Sequence, residues 1–170
     1  RDYSVSFRDN GSYRPMSIVA GEISTGKTTV LEFIDYCLGN DDHPSHPEVL
    51  KRVTSALLEL SLAGVRHVIE RSLGPGGSSA AVHVGGLADV GRSIPTRLQI
   101  RPPGDPESRS SFLLWCCGLG GIELREAPTK EESPTDPLSM RDVMWVCHMP
   151  NERIDSKNLL KEAHYMQELK

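Results

Sequence analysis

Gly21-Glu22-Ile23-Ser24-Thr25-Gly26-Lys27-Thr28 stands between a short apolar run, Met16–Ala20, and a helical pattern, Thr29–Leu38. The spacing Gly-x-x-x-x-Gly-Lys-Thr is that of a phosphate-binding loop, or P-loop. Its chemistry needs these residue types. Glycine at 21 and 26 permits backbone angles, and a close approach to phosphate oxygens, that a side chain blocks. Backbone N–H groups and the positive end of the following helix attract the anion. Lys27 supplies an ammonium for the outer phosphates, and the Thr28 hydroxyl is a ligand for Mg²⁺. The flanks agree. Met16–Ala20 reads as a buried strand, and Val30, Leu31, Phe33, Ile34 and Cys37 fall on helical spacing. Gly39-Asn40 ends that helix. The predicted nucleotide contacts are Gly21, Glu22, Ile23, Ser24, Thr25, Gly26, Lys27, Thr28 and Thr29, for ATP with Mg²⁺.

Upstream, Tyr3–Phe7 alternates like a strand and Asp9-Asn10-Gly11-Ser12 signals a turn. Arg14 precedes the loop's strand and is a further candidate contact to base or phosphate. Tyr13 suits either stacking on adenine or packing. Downstream, Asp41–Pro47 is a polar loop. Ser55–Leu62 and His67–Ser72 alternate about Ala63-Gly64, an antiparallel hairpin. Ala80–Val84 reads as a third strand and Ser93–Ile100 as another, interrupted by Pro95. Arg101–Arg109 is a loop by composition, Ser110–Gly118 a short apolar helix and Ile122–Leu124 a short extended piece. Ala127–Pro137 has the Pro, Thr, Ser and charge content of a mobile segment. Ser139 caps a helix over Met140–Cys147 that Pro150 stops. Ser156 caps another through Lys170, with Leu159, Ala163 and Met166 in a stripe.

A length of 170 residues suits one domain, and no apolar run approaches the ~20 residues of a membrane-spanning helix. Aromatics at 5%, against 15 Gly and 12 Pro, predict a thinly filled, loop-rich core. A net charge of −4 argues against a wholly basic nucleic-acid binder. It leaves open a local basic face from Arg8, Arg14, Lys51, Arg52, Arg66 and Arg71. Cys37, Cys116, Cys117 and Cys147 form no Cys-x-x-Cys pair, and no secretory leader pattern opens the chain. Free thiols and a cytoplasmic location are expected. Asp41-Asp42-His43 with His46 has metal-ligand composition. Pro44 and Pro47 keep the two histidines off one helical face, so loop polarity is the simpler reading. Cys147-His148 likewise reads as a helix end. His67 and His83 read as surface or edge residues of strands, and Glu59 and Glu70 as solvent-facing. No hydrolytic Ser/His/Asp set stands out.

The order of strand, P-loop, helix and antiparallel hairpin resembles the N-terminal half of an ATP-binding-cassette-type head. More narrowly it resembles the SMC, RecF and RecN group of chromosome-maintenance and repair ATPases. The residues that carry this are Gly26-Lys27-Thr28-Thr29-Val30-Leu31-Glu32-Phe33-Ile34 with Leu38-Gly39, and the hairpin Leu57-Leu58-Glu59-Leu60, Ala63-Gly64, Val68-Ile69-Glu70-Arg71. Trp145–Ser156 is similar to the segment that bears the family's Q-loop glutamine. Asn151, one methylene shorter, stands in its place.

The resemblance implies an α/β P-loop ATPase head with an antiparallel β-subdomain. Its N-terminal lobe would span residues 1–155, and residues 156–170 would begin a coiled coil. It implies Mg²⁺ contacts from Thr28 and Asn151. The Walker B strand and the signature motif are not found here, and in the family they follow the coiled coil. The lobe alone is then expected to bind ATP weakly and hydrolyse it poorly. The implied partners are the head's C-terminal half, a second head engaged around ATP, DNA, and accessory or effector subunits. DNA repair, chromosome maintenance and anti-phage defence are the implied settings. Two other readings stay open: a self-contained P-loop phosphotransferase such as a small-molecule kinase, and a non-hydrolysing nucleotide-dependent interaction module.

Overall fold

The computed structural model describes residues 4–13, 16–22, 25–62, 64–74 and 77–100, and the backbone of Glu126–Pro128 and Thr135–Pro137. Its centre is a four-stranded antiparallel sheet in the order β3-β4-β5-β6, with β3 Ser55–Leu62, β4 Val65–Ser72, β5 Ser79–Val84 and β6 Thr96–Gln99. Strand alternation sorts the side chains. Leu58 pairs with Ile69 and Ile69 with Val82, so these share one face. Leu57, Glu70, Ala81 and Arg97 line the other. The first face carries the core: Ile69 and Ala80 are fully buried, with Ala56, Leu58, Leu60 and Leu98 packed around them. Cys37, Leu38 and Ile100 complete this cluster.

Cys37 and Leu38 come from helix α1, Lys27–Cys37, and its C-cap. The helix closes where expected. Gly39 takes φ 116°, and its N–H bonds the Tyr36 carbonyl at 3.1 Å. The two-residue turn between β3 and β4 uses Gly64 at φ 81°, which explains a glycine between two apolar runs.

Several elements differ from the sequence reading. Residues 4–7 form no strand. The pairing shifts onward to β1, Arg8–Asp9, against β2, Ser12–Tyr13, around Asn10 and Gly11 in left-handed conformations. Met16–Ala20 is not a strand and is not buried: Met16 is 74% and Ile18 80% exposed. A strand needs a ladder partner, and no described strand lies alongside this run. Between α1 and the sheet in chain order lies a second short helix, α2, Pro47–Arg52. Its signals were present: Pro47 in the first turn, Glu48 at the positive end, Lys51 and Arg52 at the negative end. His46 caps it by accepting the Glu48 N–H at Nδ1, 3.3 Å away. Strand β6 starts only after Pro95, which cannot donate to a ladder. Within the segment whose composition suggested mobility, β7, Glu126–Pro128, pairs antiparallel with β8, Thr135–Pro137. Among the described residues no helix is long and apolar enough to cross a membrane.

Candidate nucleotide-binding site

The site starts at the N-terminus of α1. Gly26 caps the helix in the left-handed region, at φ 81° and ψ 18°, where a side chain is strained. No side chain caps this end. The first intrahelical bond runs from the Val30 N–H to the Gly26 carbonyl at 3.2 Å. The N–H groups of Lys27, Thr28 and Thr29 therefore lie outside the helical ladder and point beyond the helix end. No acidic side chain sits in the first turn to repel an anion.

Lys27 folds back over the loop. Its ammonium donates to the Gly21 carbonyl at 2.9 Å and the Glu22 carbonyl at 2.5 Å, and lies 3.4 Å from Thr25 Oγ1. Thr25 Oγ1 donates to the Glu22 carbonyl at 2.8 Å, tightening the same turn. A Cβ at Gly21 would lie 2.9 Å from Thr25 Oγ1, so a side chain there would displace that hydroxyl from the turn. The described residues thus place the Lys27 ammonium on the loop carbonyls, leave the helix-end N–H groups outside the ladder, and leave Thr28 exposed. Phosphate fits this donor set. Of the two expected Mg²⁺ contacts, Thr28 lies among the described residues. Ile23, Ser24, Arg14 and Asn151 lie outside the described residues, as do residues 156–170 and Cys116, Cys117 and Cys147.

Upstream of the loop, the Arg8 guanidinium lies 4.5 Å over the Tyr13 ring and 3.0 Å from Glu59. Arg8 also donates to the Tyr13 hydroxyl at 2.5 Å. Glu59 accepts the Leu87 N–H at 2.9 Å, and Arg66 approaches it to 3.9 Å. Glu59 is thus an anchor that holds the β1–β2 hairpin to the sheet, not a free solvent-facing carboxylate. Tyr13 is engaged by Arg8, with half its surface still exposed.

Two further expectations change. His67 and His83 are each 4% exposed, so neither is a surface residue. His83 places Nδ1 2.7 Å from Ser93 Oγ and Nε2 3.6 Å from a Glu70 carboxylate oxygen. That juxtaposition of Ser, His and Glu was invisible in the sequence. The Arg92 and Ser93 N–H groups both bond the Asp89 carbonyl at 2.9 Å, so neither is open to stabilise an oxyanion. The network fastens the residue 87–93 loop to β5.

Arg71 does not belong to a basic face: it is 2% exposed. Its guanidinium donates to the main-chain carbonyls of Tyr36, Asn40 and Gly77 and lies 3.7 Å over the Tyr36 ring. Burial holds its pKa below the ordinary value, an effect opposed by Tyr36, Cys37 and Asp41. A signal for it existed in the sequence. Arg71 alternates in phase with Ile69, which places a cation on the apolar face, where it must find partners. Lys51, Arg52 and Arg66 remain the exposed basic residues of the expected face.

Cys37 is buried and free, and burial pushes its thiol up to about 12, so it is an inert core group. His43 and His46 are spent locally, on the Pro44 carbonyl at 3.1 Å and on the α2 cap. Among the described residues no cluster of three or more His, Cys, Asp or Glu side chains is placed to hold a metal. Comparison with protein-family models, curated proteins and solved structures finds no match to this chain.

Proposed function

We propose that the chain is the ATP-binding, N-terminal lobe of an ATPase head of SMC/RecN type. In this reading it engages a second head around ATP and couples hydrolysis to DNA handling, in repair, chromosome maintenance or anti-phage defence. One observation carries the nucleotide part. The uncapped N-terminus of an 11-residue helix, with Gly26 left-handed and the Lys27 ammonium resting on loop carbonyls, is built to receive a phosphate chain. Lys27 would leave the Gly21 and Glu22 carbonyls for the outer phosphate oxygens. Thr28 would present its hydroxyl to Mg²⁺. The cation supplies charge neutralisation at the phosphates when bound.

A second observation is what a lobe completed by a further strand would present. Met16, Ile18 and Val19 lead directly into the loop, yet they are 74%, 80% and 40% exposed. Leu31, on the helix that follows, is 44% exposed. An apolar run beside a phosphate site gains stability by pairing with a strand the described residues do not supply. The head's C-terminal half is the proposed partner. DNA contact rests on the resemblance, with Lys51, Arg52 and Arg66 as the basic residues available for it.

The test is steady-state ATP hydrolysis by the chain alone, with and without candidate acceptors. Binding of MgATP with turnover far below about 1 per second supports the lobe reading. Turnover at or above that rate, or phosphoryl transfer to a small acceptor, overturns it in favour of a complete phosphotransferase.

A further inference from the structure

The phosphate end of α1 and its other end are held very differently. At the loop end, Leu31 is 44% exposed, and in the preceding run Met16 and Ile18 are 74% and 80% exposed. At the far end, Tyr36 and Cys37 are each 1% exposed. The helix is about 16 Å long, so its grip on the sheet is concentrated at one end.

That grip is reciprocal. The sheet reaches into the helix: Arg71 on β4 donates to the Tyr36 and Asn40 carbonyls, where the helix dipole is negative. The helix reaches into the sheet: the Tyr36 hydroxyl donates to the Ser72 carbonyl at 2.6 Å. The second arm of Arg71 donates to the Gly77 carbonyl, in the turn that joins β4 to β5. The guanidinium stacks on the Tyr36 ring at 3.7 Å. Gly77 leaves the space this needs, because a Cβ there would lie 2.5 Å from the Tyr36 hydroxyl oxygen. Tyr36, Arg71 and Gly77 form one polar lock beside a cavity that Asp41, His43, Ser78 and Ile100 also line.

We propose that Arg71 and Tyr36 are positioning residues that lock the phosphate-binding helix to the four-stranded sheet, so that phosphate capture at Lys27 is energetically coupled to the β4–β5 turn. The lock aims the N-terminus of α1 from its far end. Helix and sheet then move as one body when phosphate draws on the helix. The coupling rests on the nucleotide reading given above, whereas the lock itself does not.

The experiment is amide hydrogen exchange on the chain and on its Tyr36→Phe and Gly77→Ala variants, each with and without MgATP. Tyr36→Phe removes one hydroxyl and keeps the ring, so it retains the fold should Gly77→Ala not. Without nucleotide, the lock predicts that Tyr36→Phe speeds exchange at residues 37–40 and at 77–80 together, about fivefold, the worth of one buried hydrogen bond. Acceleration at only one of the two segments, or at neither, overturns the lock. With MgATP, the unaltered chain should gain protection both at residues 25–30 and at 77–80. The variant should keep the first gain and lose most of the second, a pattern that a general loss of stability does not produce. Full retention of both gains overturns the coupling. Absence of any gain at residues 25–30 in the unaltered chain overturns both the nucleotide reading and the coupling, and the nucleotide-free comparison then decides the lock alone.

Discussion

Replacing Arg71 by Met keeps much of the side chain's length and removes every donor. In the folded chain three carbonyls face that guanidinium. The Tyr36 carbonyl also accepts the Gly39 N–H at 3.1 Å and stays satisfied. The Asn40 and Gly77 carbonyls lose their Arg71 donor, at about 1–3 kcal/mol each. Loss of the stack on Tyr36 removes about 2 kcal/mol more at a desolvated site. Relief of guanidinium desolvation, the cause of its lowered pKa, acts in the opposite direction. The net is a destabilisation of about 3–4 kcal/mol, in the range for breaking a buried charged network. With a urea slope of about 2 kcal/mol per molar, the unfolding midpoint falls by about 1.5–2 M. Far-UV circular dichroism against urea measures it, with Tyr36→Phe as the comparator at about 1 kcal/mol. A midpoint for Arg71→Met within about 0.3 M of the parent, at unchanged slope, refutes the reasoning that this cation fastens helix to sheet.

Other consequences follow from the same packing. The Cys37 thiol is pushed by burial from 9.0 to about 12, so the unfolded chain releases its proton first as pH rises. Stability from the neutral thiol is then complete below about pH 8.5 and is lost on the way to about 12, by up to ~4 kcal/mol. Urea midpoints between pH 8 and 10.5 should fall further for the parent than for Cys37→Ala, and equal slopes would reject the assignment. Ile18→Asp should change the stability of this chain by less than about 0.5 kcal/mol, because the side chain is 80% exposed. The same substitution should abolish association with a completing half of the head. A loss of several kcal/mol in the isolated chain would instead place Ile18 in its own core.

The sheet was legible because alternation is a direct consequence of strand geometry. Leu58, Ile69 and Ala80 fall in phase in the sequence and meet in one core in the structure. Helix α1 was legible from its spacing and from Gly39. Met16–Ala20 was not, because apolar composition marks what a segment prefers to bury, while strand formation needs a neighbour that local sequence does not contain. His67, His83 and Arg71 escaped for a related reason. Each is polar, and composition alone assigns polar strand residues to solvent. Phase along the strand puts His67 and Arg71 with Ile69, and the partners that make their burial tolerable, such as the Asn40 and Gly77 carbonyls, are distant in sequence. The motif behind the nucleotide proposal is legible as a pattern because it is local: eight consecutive residues carry the glycines, the ammonium and the hydroxyl.

Nucleotide capture at Lys27 is tested most directly by equilibrium binding of a fluorescent ATP analogue with Mg²⁺ to the parent chain and to Lys27→Ala. Removing a charge-assisted partner of the phosphates predicts saturable binding by the parent that weakens by about tenfold or more in the variant, at unchanged thermal unfolding. Equal affinity in the two proteins, or no saturable binding by a folded parent, contradicts the assignment of this loop to phosphate.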